Sequence, residues 1–245
     1  MRAFAFLFVA LVATTDVARA TSKLKLKYFD AKGAAELTRV MLRWSGTDFE
    51  DERWAIDFEN GMKAPGFETA KANGELSSNL NRAPVLEVNE MVIGQSKAIE
   101  RFVARRCGLL GGDDVAGARV DCVAEHVRDV ATAQRDKGFS PFSRSKSDEE
   151  KAAAREEWFS SDLPSWLGRL DAAVDAGGRA VAAAGLSYAD FCIWKLLRDD
   201  VREGPDAEAV AAVLEKMPNL LAIVEAVESE AAVQEWVEVR PKTRI

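Results

Sequence analysis

One histidine, His126, and three cysteines, Cys107, Cys122 and Cys192, are all that this chain of 245 residues offers to imidazole or thiol chemistry. A Ser-His-Asp triad, a Cys-His pair or a multi-histidine metal centre would each have to use that single imidazole, which falls in a helical stretch, so none of them is the expected machinery. The cysteines are odd in number, far apart and without a CxxC, so they spell neither a disulfide framework nor a zinc ribbon. They read instead as small buried hydrophobes. Positive charge is also short: 33 Lys and Arg stand against 40 Asp and Glu, a formal net charge of −7. No basic surface is left to neutralise phosphates, which argues against a nucleic-acid partner. The longest apolar run, Ala3 to Ala13, is shorter than the ~20 residues a membrane-crossing helix needs, so no membrane span is expected. What remains, 48% apolar and 30% charged residues, is the composition of a globular protein.

The amino terminus reads as a leader. Arg2, the apolar run and then Ala18-Arg19-Ala20 before Thr21 fit a three-part signal peptide with a small-residue cleavage site, placing residues 1–20 outside the fold. Such a leader sends a chain into the secretory pathway or, as the first half of a longer address, to an organelle. The sparse cysteines speak mildly against a strongly oxidising destination and keep a cytoplasmic one as the alternative.

From Lys23 to Tyr28 polar and apolar residues alternate with period 2, the pattern of a strand. Leu37, Val40, Met41 and Trp44 then recur at i, i+3, i+4 and i+7, the stripe of an amphipathic helix. A weak strand follows around Phe49 to Trp54. The irregular stretch from Gly61 to Asn81 predicts a short helix and a loop. Val85 to Val88 and Met91 to Ile93 read as two strands joined by Asn89-Glu90. A helix from Ser96 to Cys107 carries Ala98, Ile99, Phe102 and Val103 on one face. The order is βαβ(α)ββα over residues 21–107, an α/β unit.

Residues 108–114, with Gly111-Gly112 and Asp113-Asp114, form the clearest linker signal. Residues 115–245 read as all helix, through Val120, Val123, Val127 and Val130, then Leu163, Trp166, Leu167, Leu170 and Val174, then Val210, Val213 and Leu214. Ser140 to Glu150 reads as a polar surface loop. Leu186 to Phe191 contains a capping box, with Ser187 as N-cap, Asp190 at N3, and Leu186 and Phe191 placed as a hydrophobic staple. Ser187 and Asp190 are therefore structural, at ~1 kcal/mol for the cap.

Several segments in register resemble a cytosolic-type glutathione transferase. They are Tyr28-Phe29-Asp30 with Gly33, Ala35-Glu36 and Arg39; Arg82 to Val88; Gln95 to Phe102; Gly108-Leu109; the Ser187 box; and Arg240 to Thr243. The sigma class, which includes glutathione-dependent prostaglandin D synthases, is the most similar, and the resemblance spans residues 24 to 245. It implies an α/β N-terminal thioredoxin-like domain (βαβαββα) followed by an all-α C-terminal domain. It also implies glutathione as co-substrate with no bound cofactor or metal, a hydrophobic electrophile as second substrate received at an apolar site between the domains, and a homodimer.

The resemblance assigns Tyr28 as the hydroxyl that stabilises the glutathione thiolate. Arg82, Ala83 and Pro84 fall at a turn whose backbone pairs with the cysteinyl unit, around a peptide bond that is cis in the family. Gln95 and Ser96 hold the γ-glutamyl carboxylate at a helix start, and Asp121 reaches the γ-glutamyl amine of the partner subunit. On the residues alone, Tyr28 packs beside Leu24 and Leu26, Pro84 opens an edge strand, Ser96 is an N-cap and Asp121 is a solvated acid. Ala34 stands where sigma-class members often have an arginine, so one cation of the family's site is missing, and the sequence leaves open whether Lys32 replaces it. The stretch from Arg53 to Pro84 is longer than usual, and its glycyl-end contacts are assigned only to Trp54 and Lys63, with Lys71 as a further choice.

Conjugation, isomerisation and peroxidase chemistry would share these residues. A non-catalytic ligand carrier would have no need of the phenol or the γ-glutamyl site. A thiol-disulfide oxidoreductase lacks a cysteine near residues 28–36.

Overall fold

The computed structural model describes residues 22–140, 143–202 and 204–243, so the expected leader lies outside the described residues. Two compact units emerge. One runs to Cys107 and takes in the stretch from Val239 onward; the other is Gly108–Glu238. The helical domain expected at 115–245 therefore gives up its terminal stretch to the first unit. The physical cause is a buried ion pair, Arg240 Nη1 donating to Glu36 Oε1 at 2.9 Å, together with the Lys32 amide donating to Thr243 Oγ1 at 3.3 Å. In the segment expected to be a linker, Leu109 is fully buried and its carbonyl accepts the Tyr188 amide at 2.9 Å. That segment is packed into the second unit, not slack.

The first unit is built on one mixed sheet of β1 (Leu24–Phe29), β2 (Glu50–Trp54), β3 (Val85–Val88) and β4 (Met91–Gly94), in the order β2-β1-β3-β4. β1 pairs parallel with β2 and antiparallel with β3, and β3 pairs antiparallel with β4. Three helices complete it: α1 (Glu36–Trp44), α2 (Pro65–Ala72) and α3 (Ser96–Arg106). This is the expected βαβαββα order. Alternation along β1 buries Leu24 and Leu26 on one face, while α1 buries Leu37, Val40 and Met41. The opposite face carries a cluster of Trp54, Ala70, Leu76 and Val85, with Phe29 and Phe67 packed against it. On α3 the buried positions are Ile99, Val103 and Ala104, whereas Ala98 is exposed and Phe102 half-buried. The apolar stripe is thus rotated from the expected one by the inward turn of Glu100, which accepts Lys97 Nζ at 2.8 Å.

The second unit is helical: α4 (Asp114–Asp136), α5 (Asp148–Glu157), α6 (Leu163–Ala173), α7 (Tyr188–Trp194), α8 (Ala207–Leu214), α9 (Pro218–Glu228) and most of α10 (Ala231–Val239). Val120, Val123, Val127 and Val130 form the buried stripe of α4, and α7 is buried along its whole length. The capping box at Ser187 is present. Asp190 Oδ2 accepts the Ser187 amide at 2.9 Å and its hydroxyl at 2.5 Å, while Oδ1 accepts the Ala180 amide at 2.7 Å. Asp190 therefore pins a neighbouring loop as well as its own helix.

Two expectations fail here. The Ser140 to Glu150 loop ends early, because Ser147 and Glu150 form a capping box that starts α5 at Asp148. Of the three cysteines, none in a disulfide, only Cys192 is buried; Cys107 is half-buried and donates to Ser45 Oγ at 3.1 Å, and Cys122 is exposed beside His126.

Candidate active site

Tyr28 lies near the carboxyl end of β1 and is half-buried. Its phenol oxygen accepts the Ala34 amide at 3.2 Å. A phenol has one proton to give, so an oxygen that already accepts an N–H still has its own O–H to donate. The turn that delivers Ala34 requires Gly33 on two counts: its φ is +41°, and a Cβ there would stand 2.7 Å from the Tyr28 oxygen. Only a residue without a side chain tolerates both. Beneath the turn, the buried Arg39 donates to the Ala31 carbonyl at 2.6 Å and through Nε to both oxygens of Asp51, and its guanidinium lies 5.9 Å from the Tyr28 ring centroid. Glu36 joins Arg39 to Arg240. A set of buried ion pairs therefore underlies the loop that reaches the phenol.

A second element of the site is the junction of β3, β4 and α3. The Ala83–Pro84 peptide bond is cis, with Pro84 buried and Ala83 half-buried. Gln95 is exposed at φ +65° and is the N-cap of α3, which makes Ser96 the first helical residue and not the cap. No side-chain cap bond is made at this N-terminus. Its first amides and the helix dipole accordingly present positive potential to an anion. The buried Asn79 lies between the two segments, donating to the Arg82 and Pro84 carbonyls and accepting the Gln95 amide.

Family profiles match both units: the glutathione S-transferase N-terminal domain over residues 24–105, and its C-terminal domain over residues 136–240. The chain belongs to the glutathione S-transferase family. It is 28% identical to hematopoietic prostaglandin D synthase of Gallus gallus, covering 90% of this chain and 98% of that protein. It is 27% identical to probable glutathione S-transferase 7 of Caenorhabditis elegans, covering 89% and 97%. Among solved structures, the Fasciola hepatica sigma class enzyme superposes with a TM-score of 0.70 at 22% identity, covering 91% of this chain and 99% of that one, a likeness of fold. As a glutathione S-transferase the protein is an enzyme that takes glutathione as co-substrate.

In this transferase the remaining expected residues divide. Trp54 is corrected: it is 6% exposed, sits in the core against Phe29 and Phe67, and spends its indole N–H on Glu52 at 2.9 Å. It has neither the exposure nor the free donor that a glycyl contact needs. Lys63 is exposed at a two-way backbone bridge with Asp57, and Lys71 lies over the Phe67 ring and bonds Glu68. Arg82 is exposed, and Asp121 is half-buried on α4. Among the described residues no group of three His, Cys, Asp or Glu is placed to hold a metal, and no helix is long and apolar enough to cross a membrane.

A cavity of about 310 Å³ in the second unit is lined by His126, Val130, Trp166, Arg169, Leu170 and Ala173, none of them among the residues assigned to glutathione. Lys27, opposite Tyr28's face, is buried and bonds Glu75 at 2.7 Å and Glu87 at 2.6 Å. Burial lowers its pKa, but the two carboxylates outweigh this and the pKa is raised. Sequence patterns carried no sign of Asn79, because its role depends on partners brought together only by the fold.

Proposed function

We propose that this glutathione S-transferase activates its co-substrate by donating the Tyr28 hydroxyl to the glutathione sulfur, and adds the resulting thiolate to small hydrophobic electrophiles. The observation that carries the reading is the Tyr28 oxygen held by the Ala34 amide, with its own proton left to give. A free thiol of pKa ~8.5 is ~3% thiolate at pH 7; hydrogen bonding that lowers the pKa by about two units raises this to ~75%, a gain of about 25-fold. A thiolate so stabilised is intrinsically less nucleophilic, by roughly 6- to 10-fold at a Brønsted slope of ~0.4–0.5. Ionisation alone therefore accelerates the reaction by about 2.5- to 4-fold, and orientation on the protein supplies the rest.

The other assignments follow from chemistry. The Arg82 and Ala83 backbone, beside the cis Pro84, pairs with the cysteinyl unit as an added strand. Gln95, Ser96 and the α3 N-terminus hold the γ-glutamyl carboxylate. Lys63 is the cation offered to the glycyl carboxylate. Asp121 serves the γ-glutamyl amine of a second copy in a homodimer, so a monomer in light scattering would remove that role. With an aryl halide, the sulfur lone pair forms the C–S bond and halide leaves with the electrons of the broken bond. Isomerase and peroxidase reactions would begin from the same thiolate.

The expected leader belongs to this reading: residues 1–20 direct the chain to the secretory pathway or an organelle, and a native protein whose mass includes them would refute it. The test of the mechanism is Tyr28→Phe with a generic aryl halide. Conjugation at pH 7 should fall by roughly 3- to 25-fold with little loss of glutathione affinity. Equal rates would remove Tyr28 from the mechanism.

A further inference from the structure

We propose that Asn79 is the positioning residue that joins the two halves of the glutathione site, setting the Arg82–Pro84 turn and the Gln95–Ser96 helix start in one fixed relation. The inference rests on the reading of those segments as the glutathione site. It starts from burial: Asn79 is 4% exposed, at the end of a short helical turn, Ser77–Asn79. A buried carboxamide must satisfy its polar atoms. Asn79 Nδ2 donates to the Arg82 carbonyl at 2.9 Å and to the Pro84 carbonyl at 2.9 Å, and Oδ1 accepts the Gln95 amide at 3.0 Å.

These partners fix which end of the amide is which. Turned over, the group would face an oxygen to two carbonyls and an NH2 to an N–H. Its main-chain oxygen also accepts the Arg82 amide at 3.1 Å.

The register of the sheet explains why a side chain is needed here. Val85 on β3 opposes Gly94 on β4, so the next opposed pair would be Pro84 and Gln95. Asn79 bonds the Pro84 carbonyl and the Gln95 amide, standing in for that rung. The neighbouring geometry is built around it. A Cβ on Gly94 would lie 2.6 Å from Asn79 Cβ, Cγ and Oδ1, and Gln95 takes φ +65°. Leu80 and Asn81, which lead from Asn79 to Arg82, are both left-handed, at φ 53° and 58°. One carboxamide thus sets the backbone offered to the cysteinyl unit and the helix start offered to the γ-glutamyl carboxylate. Leaving the phenol untouched, it governs how glutathione is held and not how its thiol ionises.

The test compares Asn79→Asp and Gly94→Ala with the wild type. Aspartate keeps the shape and the acceptor but replaces two donors by an oxygen facing two carbonyls; alanine at Gly94 displaces the Asn79 side chain by volume. Both should raise KM for glutathione at least about tenfold. Both should leave kcat at saturating glutathione within about threefold and the pH midpoint of bound-thiol ionisation unchanged. A residue that merely stabilises the fold would lower the melting temperature without producing that split. A folded Asn79→Asp with unchanged KM, a fall confined to kcat, or failure of both variants to fold would each overturn the proposal. Wild-type glutathione binding is measured first. Its absence would refute the glutathione site itself, whereas normal wild-type binding with an unaffected variant refutes only the role of Asn79.

Discussion

Glu36→Gln removes the carboxylate between two guanidinium groups while keeping the shape of the side chain. Glu36 is 1% exposed, Arg39 0% and Arg240 8%. Removing one partner of a buried ion pair costs ~3–5 kcal/mol, because the charge left behind has lost both water and its counter-ion. The two arginines are not affected equally. Arg39 retains Asp51, whose oxygens accept Nε at 3.0 and 3.1 Å, and the Ala31 carbonyl at 2.6 Å. Arg240 gives up the Glu36 oxygen it bonds at 2.9 Å. The partners Arg39 keeps place the cost near the lower end of the range, about 3 kcal/mol. Urea unfolding followed by tryptophan fluorescence measures it. The double variant with Arg240→Met should lose less than the sum of the single variants, since the two side chains bond each other directly. A loss below ~1 kcal/mol for Glu36→Gln would show that the ion pair does not hold the terminal stretch to the first unit.

Three further outcomes follow from the geometry. Gly33→Ala would place a Cβ 2.7 Å from the Tyr28 oxygen at φ +41°, so kcat should fall through displacement of the phenol, by no more than the loss expected of Tyr28→Phe, and an unchanged kcat in steady-state assays would contradict that. Asp190→Ala strips two buried backbone donors, the Ser187 and Ala180 amides, of their acceptor, and at ~1–3 kcal/mol for each the loss should be about 4 kcal/mol by denaturant titration; less than ~1 would refute it. Glu75 has a lowered pKa, chiefly from its bond to Lys27, so that contribution to stability is present above its unfolded value and lost as pH falls through its folded one. Lys27, raised, loses its share only as pH climbs through its folded value. Lys27→Met should flatten the acid limb of the stability profile, where Glu75 takes up its proton, and an acid limb as steep as the wild type's would count against the pairing.

Much of the fold was legible because local patterns decide it. Alternation from Lys23 to Tyr28 and the 3-4 spacing of Leu37, Val40 and Met41 each report a single buried face, and the structure buries those residues. Features that depend on distant partners were not. The i, i+3 spacing on α3 cannot show that Glu100 turns inward with Lys97, and nothing near Arg240 in the chain announces Glu36. Trp54 enters as a glycyl-end contact only through the resemblance to the transferases, and its register opposite Phe29, which puts it in the core, depends on strand pairing that its own segment does not show. Ser147 and Glu150 were the exception, since their spacing is a legible capping box that the surrounding charge obscured. At the site, Tyr28, Pro84, Gln95 and Ser96 came from the resemblance to the transferases. Asn79 came only from three-dimensional hydrogen bonding.

The account turns on the ionisation of the bound thiol, which the ultraviolet absorbance of the thiolate reports directly. Titrating glutathione bound to the wild type and to Tyr28→Phe should give midpoints near pH ~6.5 and ~8.5 respectively. Coincident midpoints for the two proteins would contradict it.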